Sequence, residues 1–331
     1  MKRFAPLAAL ALAACQTAPA PGAPVASADA PDTMQWLYGS GEAAAASIQA
    51  FEAMAAFVEK DLIHRASSEP MKINFEGRSY EIEFDELSVR MGSTEYDLPA
   101  ESGLSEVHDL SCVTETDDGK ARKPYAVVFD IDETVLLNSG YEYWQASTGS
   151  DYDSAIWDEW ERTGAHHVVA APGAIDALSR IRAAGVTVVF NSNRNARNAI
   201  HTAEALSFAG LGNAVHGETL FLKGDDDMGS AKDGRRRTIA EKYCVIALAG
   251  DNLGDFADVF NEGKLSPQER RRRASQKEMV GWHTVRHYQR LWGNGWFLFS
   301  NPVYGHSITG TVDDVFPPAV RWKPSTPTPA N

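Results

Sequence analysis

Four short apolar runs, Ala126–Phe129, Val186–Phe190, Glu218–Leu222 and Cys244–Ala249, alternate along this chain with segments of helical period. Strands buried on both faces read as near-continuous hydrophobic runs, because neither face meets water. Alternating such strands with helices leaves one economical arrangement, a parallel sheet with helices packed on either side. The helical segments carry their own punctuation. Pro172 opens a helix to Ala184 that Gly185 closes, Arg197 to Ala209 ends at Gly210, and Ala231 to Lys242 runs up to the last of the four strands. Proline at a helix start and glycine just past its end sit where their backbones are favoured. The expected fold is α/β with a Rossmann-like parallel sheet, which presents its chemistry at the carboxyl ends of its strands.

The residues at those ends are polar and specific. Asp130 and Asp132 follow the first strand in Asp130-Ile131-Asp132-Glu133-Thr134. Residues i and i+2 share a face, so both carboxylates can meet one ligand. Ser192 follows the second strand in Asn191-Ser192-Asn193-Arg194, and Lys232 opens the last helix. Asp251 and Asp255 follow the fourth strand in Gly250-Asp251-Asn252-Leu253-Gly254-Asp255-Phe256. Phosphoryl transfer asks for such a set. A carboxylate can serve as a covalent nucleophile, and a divalent cation such as Mg²⁺, held by Asp130 and Asp251, would offset its charge and that of the phosphoryl oxygens. Ser192 would supply a neutral donor and Lys232 a fixed positive charge to the transferring group. Asp132 would protonate the leaving oxygen and later take a proton from water. A calcium loop is excluded, since it needs glycine at its sixth position and glutamate at its twelfth; counted from Asp130 these are Val135 and Tyr141. Asp251 can also cap a helix start, which is compatible with holding a metal. Lys223 competes with Lys232, but the Ser230-Ala231-Lys232-Asp233-Gly234-Arg235 context favours Lys232.

The ends of the chain carry a different message. Lys2 and Arg3 precede a small apolar stretch, Phe4 to Ala14, too short to span a bilayer as a helix. Leu12-Ala13-Ala14-Cys15 looks like a bacterial lipobox. Residues 1–14 are then expected to be a signal peptide and Cys15 a lipidated N-terminus. Gln16, rather than aspartate, points to the outer membrane of the cell envelope. Residues 15–33 read as a Pro/Ala-rich tether, 34–323 as the folded domain and 324–331 as a disordered tail. Within the domain, Ile48, Phe51, Met54, Ala55 and Val58 repeat at helical spacing, 72–98 suggests a hairpin, and about 65–123 reads as a surface insertion. Cys112 and Cys244 would lie where disulfides persist; a buried free thiol at Cys244 and a Cys112–Cys244 bridge both remain open. A formal charge of −14 gives no footprint for a nucleic acid polymer. Arg270–Arg273 reads as a solvated or acid-paired helix face, and His166 and His167 have no partner at ligand spacing.

The two acidic motifs resemble those of the haloacid dehalogenase superfamily, and within it the class C, four-aspartate acid phosphatases, the family of outer-membrane lipoprotein e. The first stands as Asp130-Ile-Asp-Glu-Thr-Val-Leu-Leu-Asn138-Ser-Gly-Tyr141 and the second as Gly250 to Phe256. The likeness runs from Met34-Gln35-Trp36 to Asn301-Pro302-Val303-Tyr304-Gly305, with Phe129 and Ala247 departing from the usual residues before the motifs. It implies a parallel-sheet core with a mostly helical cap, here about 139–172. It implies Asp130 as nucleophile and Asp132 as general acid and base. One Mg²⁺ would bind Asp130, Asp251 and the backbone carbonyl of Asp132, with Asp255 holding water or orienting the others. The implied activity is acid phosphatase and 5′-nucleotidase, on small phosphomonoesters such as nucleoside monophosphates, serving salvage.

Substrate contacts are expected from Asn193 and Arg194 beside Ser192. The cap carries Tyr141, Tyr143, Trp144, Tyr152, Trp157 and Trp160. Most would be core of the cap, while Trp144 and, from the C-terminal motif, Tyr304 are expected to stack on a base. Two rival readings keep parts of this pattern. One is a surface-binding lipoprotein with a vestigial site, which has no need of a nucleophile and a proton donor together. The other is a phosphotransferase to an alcohol acceptor. The oligomeric state is not legible.

Overall fold

The computed structural model describes residues 29–67, 71–75, 78–82, 112–116, 119–261, 263, 265–275, 278–280, 284–286 and 288–322. Cys15, the expected signal peptide, most of the tether, most of the 65–123 segment and the 324–331 tail lie outside the described residues.

Five strands form one sheet: β1 (Tyr125–Phe129), β2 (Thr187–Asn195), β3 (Leu220–Lys223), β4 (Cys244–Gly250) and β5 (Trp296–Leu298). Their order is β5-β4-β1-β2-β3, and every neighbouring pair is parallel. The four apolar runs are β1 to β4. The sequence reading missed β5, because three residues carry no detectable period. Among the described residues the longer helices are α1 (Gly41–Ser67), α2 (Ser139–Thr148), α3 (Ser154–Thr163), α4 (Ala174–Ala183), α5 (Ala199–Phe208), α6 (Asp233–Lys242) and α7 (Pro267–Ser275). Before α1, residues 32–39 form short helical turns, and the chain breaks at Ser40, whose backbone is extended. The Ser40 hydroxyl accepts from the Ala43 amide at 3.0 Å and so starts α1 afresh.

Alternation along β1 divides the core. Val127 and Phe129 face Phe51, Met54 and Val58 of α1 and Leu178 and Ile181 of α4. Ala126 and Val128 join Val245, Leu248, Phe256, Phe260 and Trp296 on the opposite face. Each large side chain so buried contributes about 1.5–3 kcal/mol. Phe129→Ala, which leaves a cavity between α1 and the sheet, would cost about 3–5 kcal/mol.

After β1 the chain leaves the sheet for α2 and α3. Leu136–Leu137, pairing antiparallel with Val169–Ala170, closes the base of this helical excursion. Two further hairpins, Met71–Phe75 with Arg78–Ile82 and Val113–Thr116 with Gly119–Arg122, precede β1. Cys112 and Cys244 form a disulfide, their Cα atoms 4.5 Å apart, so the bridged state is the one present. Of the arginine run, Arg270 is buried and donates to the Phe260 carbonyl at 3.0 Å and to Asn261 at 2.9 Å. Arg272 and Arg273 pair with Glu269 at 2.8 and 3.3 Å. Among the described residues, no helix is long and apolar enough to cross a membrane.

Candidate active site

The chain runs from β1 through β2 to β3 on one side, then crosses back to β4 and β5 on the other. Connections leaving β1 and β4 therefore diverge, and a crevice opens at their carboxyl ends. Asp130 and Asp251 stand one residue beyond those ends. The Asp130 amide donates to the Ala249 carbonyl and the Phe299 amide to the Gly250 carbonyl, each at 2.8 Å, so three strand ends are in register there.

A tight turn follows Asp130. The amides of Val135 and Leu136 both donate to the Ile131 carbonyl, at 3.0 and 2.9 Å, and Glu133 has a φ of +53°. That backbone disfavours side chains other than glycine. The surroundings compensate: the buried Glu133 carboxylate accepts from the Tyr38 hydroxyl and the Asn138 amide at 2.8 and 2.9 Å, and from the Tyr304 hydroxyl. Burial, with Asp132 nearby, pushes its carboxyl upward.

Asp132 is held from three sides. Its Oδ1 accepts from Asn138 Nδ2 at 2.9 Å and from Arg194 Nε and Nη2 at 2.9 and 2.8 Å; its Oδ2 accepts from the Ser192 hydroxyl at 3.3 Å. Asn138 also accepts from the Trp160 indole at 3.0 Å and from Arg194 at 2.8 Å, tying the helical excursion to the same carboxylate.

Asp130, Asp251 and Asp255 each bring a carboxylate oxygen within 4.8 Å of the others. Lys232 Nζ donates to Asp130 at 2.5 Å and to Asp255 at 2.7 Å, and Asn301 donates to Asp251 at 2.7 Å. Three carboxylates, Asp130 buried and Asp251 and Asp255 half-buried, against one ammonium leave excess negative charge. Burial raises Asp130 to about 7, opposed by Lys232 and reinforced by Asp255 and Asp132. Burial, then Asp255 and Asp130, raise Asp251 well above the usual range. Hard oxygen donors with uncompensated charge are what a divalent cation takes up, so the residues present fit one. Burial alone would lower Lys232, but Asp130 and Asp255 overcome it and keep the ammonium charged.

An open cavity of about 1340 Å³ runs from this cluster towards α2 and α3. Asp130, Asp132, Asn193, Lys232, Asp251 and Asp255 line it, and so does Tyr304. Not every expected contact faces it. Trp144 is not among its lining residues and packs on Tyr141 with ring centroids 5.7 Å apart. The Arg194 guanidinium is buried and turned to Asp132 and Asn138, because an arginine in that position can only be buried if it is paired. Ser192 is fully buried, its hydroxyl lying between Asp132 and the Arg194 amide. Lys223 lies at the cavity wall rather than in the carboxylate cluster.

Several residues that shape the site were not singled out in the sequence. The second strand runs on past Phe190, so Ser192 lies within β2 rather than after it; Arg235 donates to Asn191 and Asn193 at 2.8 and 2.6 Å and so fixes the carboxyl-terminal part of β2. Asp258 accepts from the Lys232 and Asp233 amides at 2.8 and 2.7 Å. Arg236 donates to the carbonyls of Gly254 and Asp255, both at 2.9 Å. Glu161 of α3 accepts from the Asn195 amide at 3.0 Å and from Asn198 at 2.8 Å, fastening the excursion to the core. Arg235 at least had a signal, three residues after Lys232.

The sequence pattern of the HAD superfamily, subfamily IIIB (acid phosphatase), matches residues 95–307. The fold is similar to that of the class C acid phosphatase from Bacillus anthracis, with a TM-score of 0.55 at 21% identity over 83% of this chain and 84% of that one. A second structure of the same protein, with tungstate bound, matches equally well, with a TM-score of 0.55.

Proposed function

We propose that this chain, which belongs to subfamily IIIB of the HAD superfamily, the acid phosphatases, hydrolyses phosphomonoesters through an aspartyl-phosphate on Asp130 with one Mg²⁺ at the carboxylate cluster. Phosphomonoester hydrolysis follows from the family. The covalent route, the metal's identity and the substrate are our reading. The observation that carries it is the cluster of the buried Asp130 with the half-buried Asp251 and Asp255, with Lys232 in contact and Asp132 two positions beyond the nucleophile.

When bound, Mg²⁺ would offset the charge that a phosphate dianion meets at this cluster. Lys232 adds a fixed positive charge beside Asp130, and Asn193 at the cavity wall supplies a neutral donor to the phosphoryl oxygens. An Asp130 oxygen attacks phosphorus, and the bond to the leaving oxygen breaks as Asp132 delivers a proton to it. Asp132 then takes a proton from water, whose oxygen attacks the phosphorus of the aspartyl-phosphate. Inorganic phosphate leaves, and Asp130 is restored. Arg194 and Asn138 orient Asp132 for both proton transfers. Ser192, donating to the same carboxylate, positions it further.

Nucleoside monophosphates are the substrates we favour. The cavity has room for a nucleotide, and Tyr141, Tyr152, Trp157 and Tyr304 give it an aromatic wall. On the Leu12–Cys15 motif we place the enzyme on the cell envelope, lipid-anchored at Cys15.

The test is phosphate release from adenosine and nicotinamide 5′-mononucleotides at about pH 5 to 7, with Mg²⁺ or with EDTA. Release that depends on Mg²⁺ and falls at least about a thousandfold in Asp130→Asn is expected. Folded protein that releases nothing from any monoester would sink the reading. Tungstate, found on the Bacillus anthracis enzyme, should compete with substrate here.

A further inference from the structure

Among the acids around the cavity, Glu142 differs from the rest. It lies in the first turn of α2, only 4% exposed, and it lines the cavity that holds Asp130 and Asp132. Its Oε2 is buried and has no hydrogen-bond partner. A buried polar atom left unpaired costs about 1–3 kcal/mol, so its persistence at a cavity wall asks for a partner that arrives from outside. Among the described residues none donates to it. The nearby hydroxyl of Tyr38 is committed to Glu133, and so is that of Tyr304. Its position relative to the reacting groups is also fixed, since the Glu142 amide donates to the Asn138 carbonyl at 3.0 Å and the Asn138 side chain holds Asp132 at 2.9 Å.

We propose that Glu142 is a specificity residue that hydrogen-bonds hydroxyl groups on the leaving group, so that the site prefers phosphomonoesters of sugars and nucleosides over those of plain alkyl or aryl alcohols. This rests on the phosphatase reading above. Burial, with Glu133 opposite, raises the carboxyl to about 8, so at mildly acidic pH it is an un-ionised acid. Such a group offers one donor and one acceptor, which matches a pair of neighbouring hydroxyls and gives no advantage to a cation. The Tyr141, Tyr152 and Trp157 rings line the same cavity, where the apolar face of a bound leaving group can pack.

The experiment compares kcat/KM for adenosine 5′-monophosphate and 2′,3′-dideoxyadenosine 5′-monophosphate, with Mg²⁺, at about pH 6. The unmodified protein should prefer the hydroxylated substrate by about tenfold or more. Glu142→Met should bring the ratio close to one, whatever its absolute rate, whereas Glu142→Gln, which can still donate and accept, should keep most of the preference. Glu142→Asp, which withdraws the acid by one methylene, replaces the Met variant if that does not fold. No preference in the unmodified protein, or a ratio that Glu142→Met leaves unchanged, overturns the proposal, the former without any variant. A structural water as the sole partner of Oε2 would give that second result. Failure of the phosphatase reading would look different: no Mg²⁺-dependent release from either nucleotide or from p-nitrophenyl phosphate.

Discussion

A Cβ built on Gly250 would lie 2.3 Å from Asp255 Oδ2, closer than atoms can approach. The position is glycine because Asp255 must lie against the end of β4 to reach both the Asn252 amide, at 2.8 Å, and Lys232. Gly250→Ala should therefore displace one carboxylate of the cluster and leave the sheet intact. We expect kcat/KM to fall about a hundredfold, with a raised Mg²⁺ requirement and a melting temperature within a few degrees of the parent. A Mg²⁺ titration of activity beside a thermal melt checks it; unchanged Mg²⁺ dependence would remove Asp255 from the metal site. Glu142 yields a prediction of another kind. Its folded value of about 8 lies above the ordinary carboxylate value, so between the two the folded protein binds the extra proton. Stability from this group is thus present at low pH and is lost as pH rises towards 8. Glu142→Gln should melt with the parent near pH 4 and above it near pH 8, by at most about 4 kcal/mol; parallel melting curves across that range would contradict the raised value. The aspartates were legible because their order and spacing are themselves the signal. Arg194 was legible as a charge but not as Asp132's partner, since what a side chain faces depends on a second strand's register.

At the scale of elements, α6 shows how a catalytic group is aimed from a distance. Lys232 is its N-cap residue and provides no side-chain cap. The cap comes instead from Asp258, which accepts the first two free amides and is itself steadied by the buried Arg236. The helix start, Lys232 and the loop bearing Asp255 are thereby joined, because Arg236 also holds the Gly254 and Asp255 carbonyls. Asp258→Ala should cost about 1–2 kcal/mol as a lost cap, and more if Arg236 is left undercompensated. The same change should lower kcat more than it raises KM, since Lys232 is needed most as charge develops in transfer. A purely structural role would lower the melting temperature and leave kcat per folded molecule unchanged. The four apolar strands and α4, α5 and α6 could be read in advance because burial on both faces, helical period and glycine or proline at helix ends are local properties, whereas α2 and α3 were expected only through the resemblance. The three-residue β5 and the Asp258 cap could not be, because each is settled by distant neighbours, the open edge of β4 and a loop beyond the sheet; the break at Ser40 did have a local signal, a serine that caps α1.

At the scale of the whole molecule, the sheet separates chemistry from fastening. Asp130 and Asp251 stand beyond the carboxyl ends of β1 and β4, while Cys244, bonded to Cys112, is the first residue of β4 at the opposite edge. The bridge joins residues 132 apart, a span for which chain-entropy estimates give a ceiling of about 5 kcal/mol. The sequence left its existence open because two cysteines far apart in the chain say nothing about distance in space. Its placement now predicts a separation of effects. Reduction, or Cys112→Ala together with Cys244→Ala, should lower the melting temperature by about 10 °C or more, since the segment before β1 loses its covalent hold on β4. Activity of the still-folded protein at moderate temperature should keep its KM and kcat, because the full length of β4 lies between the bond and the carboxylate cluster. The two readings are taken on one sample, with and without dithiothreitol. A drop in kcat without a drop in melting temperature would mean that strain at one edge of the sheet reaches the other, and that β4 is not the rigid spacer its seven buried residues make it.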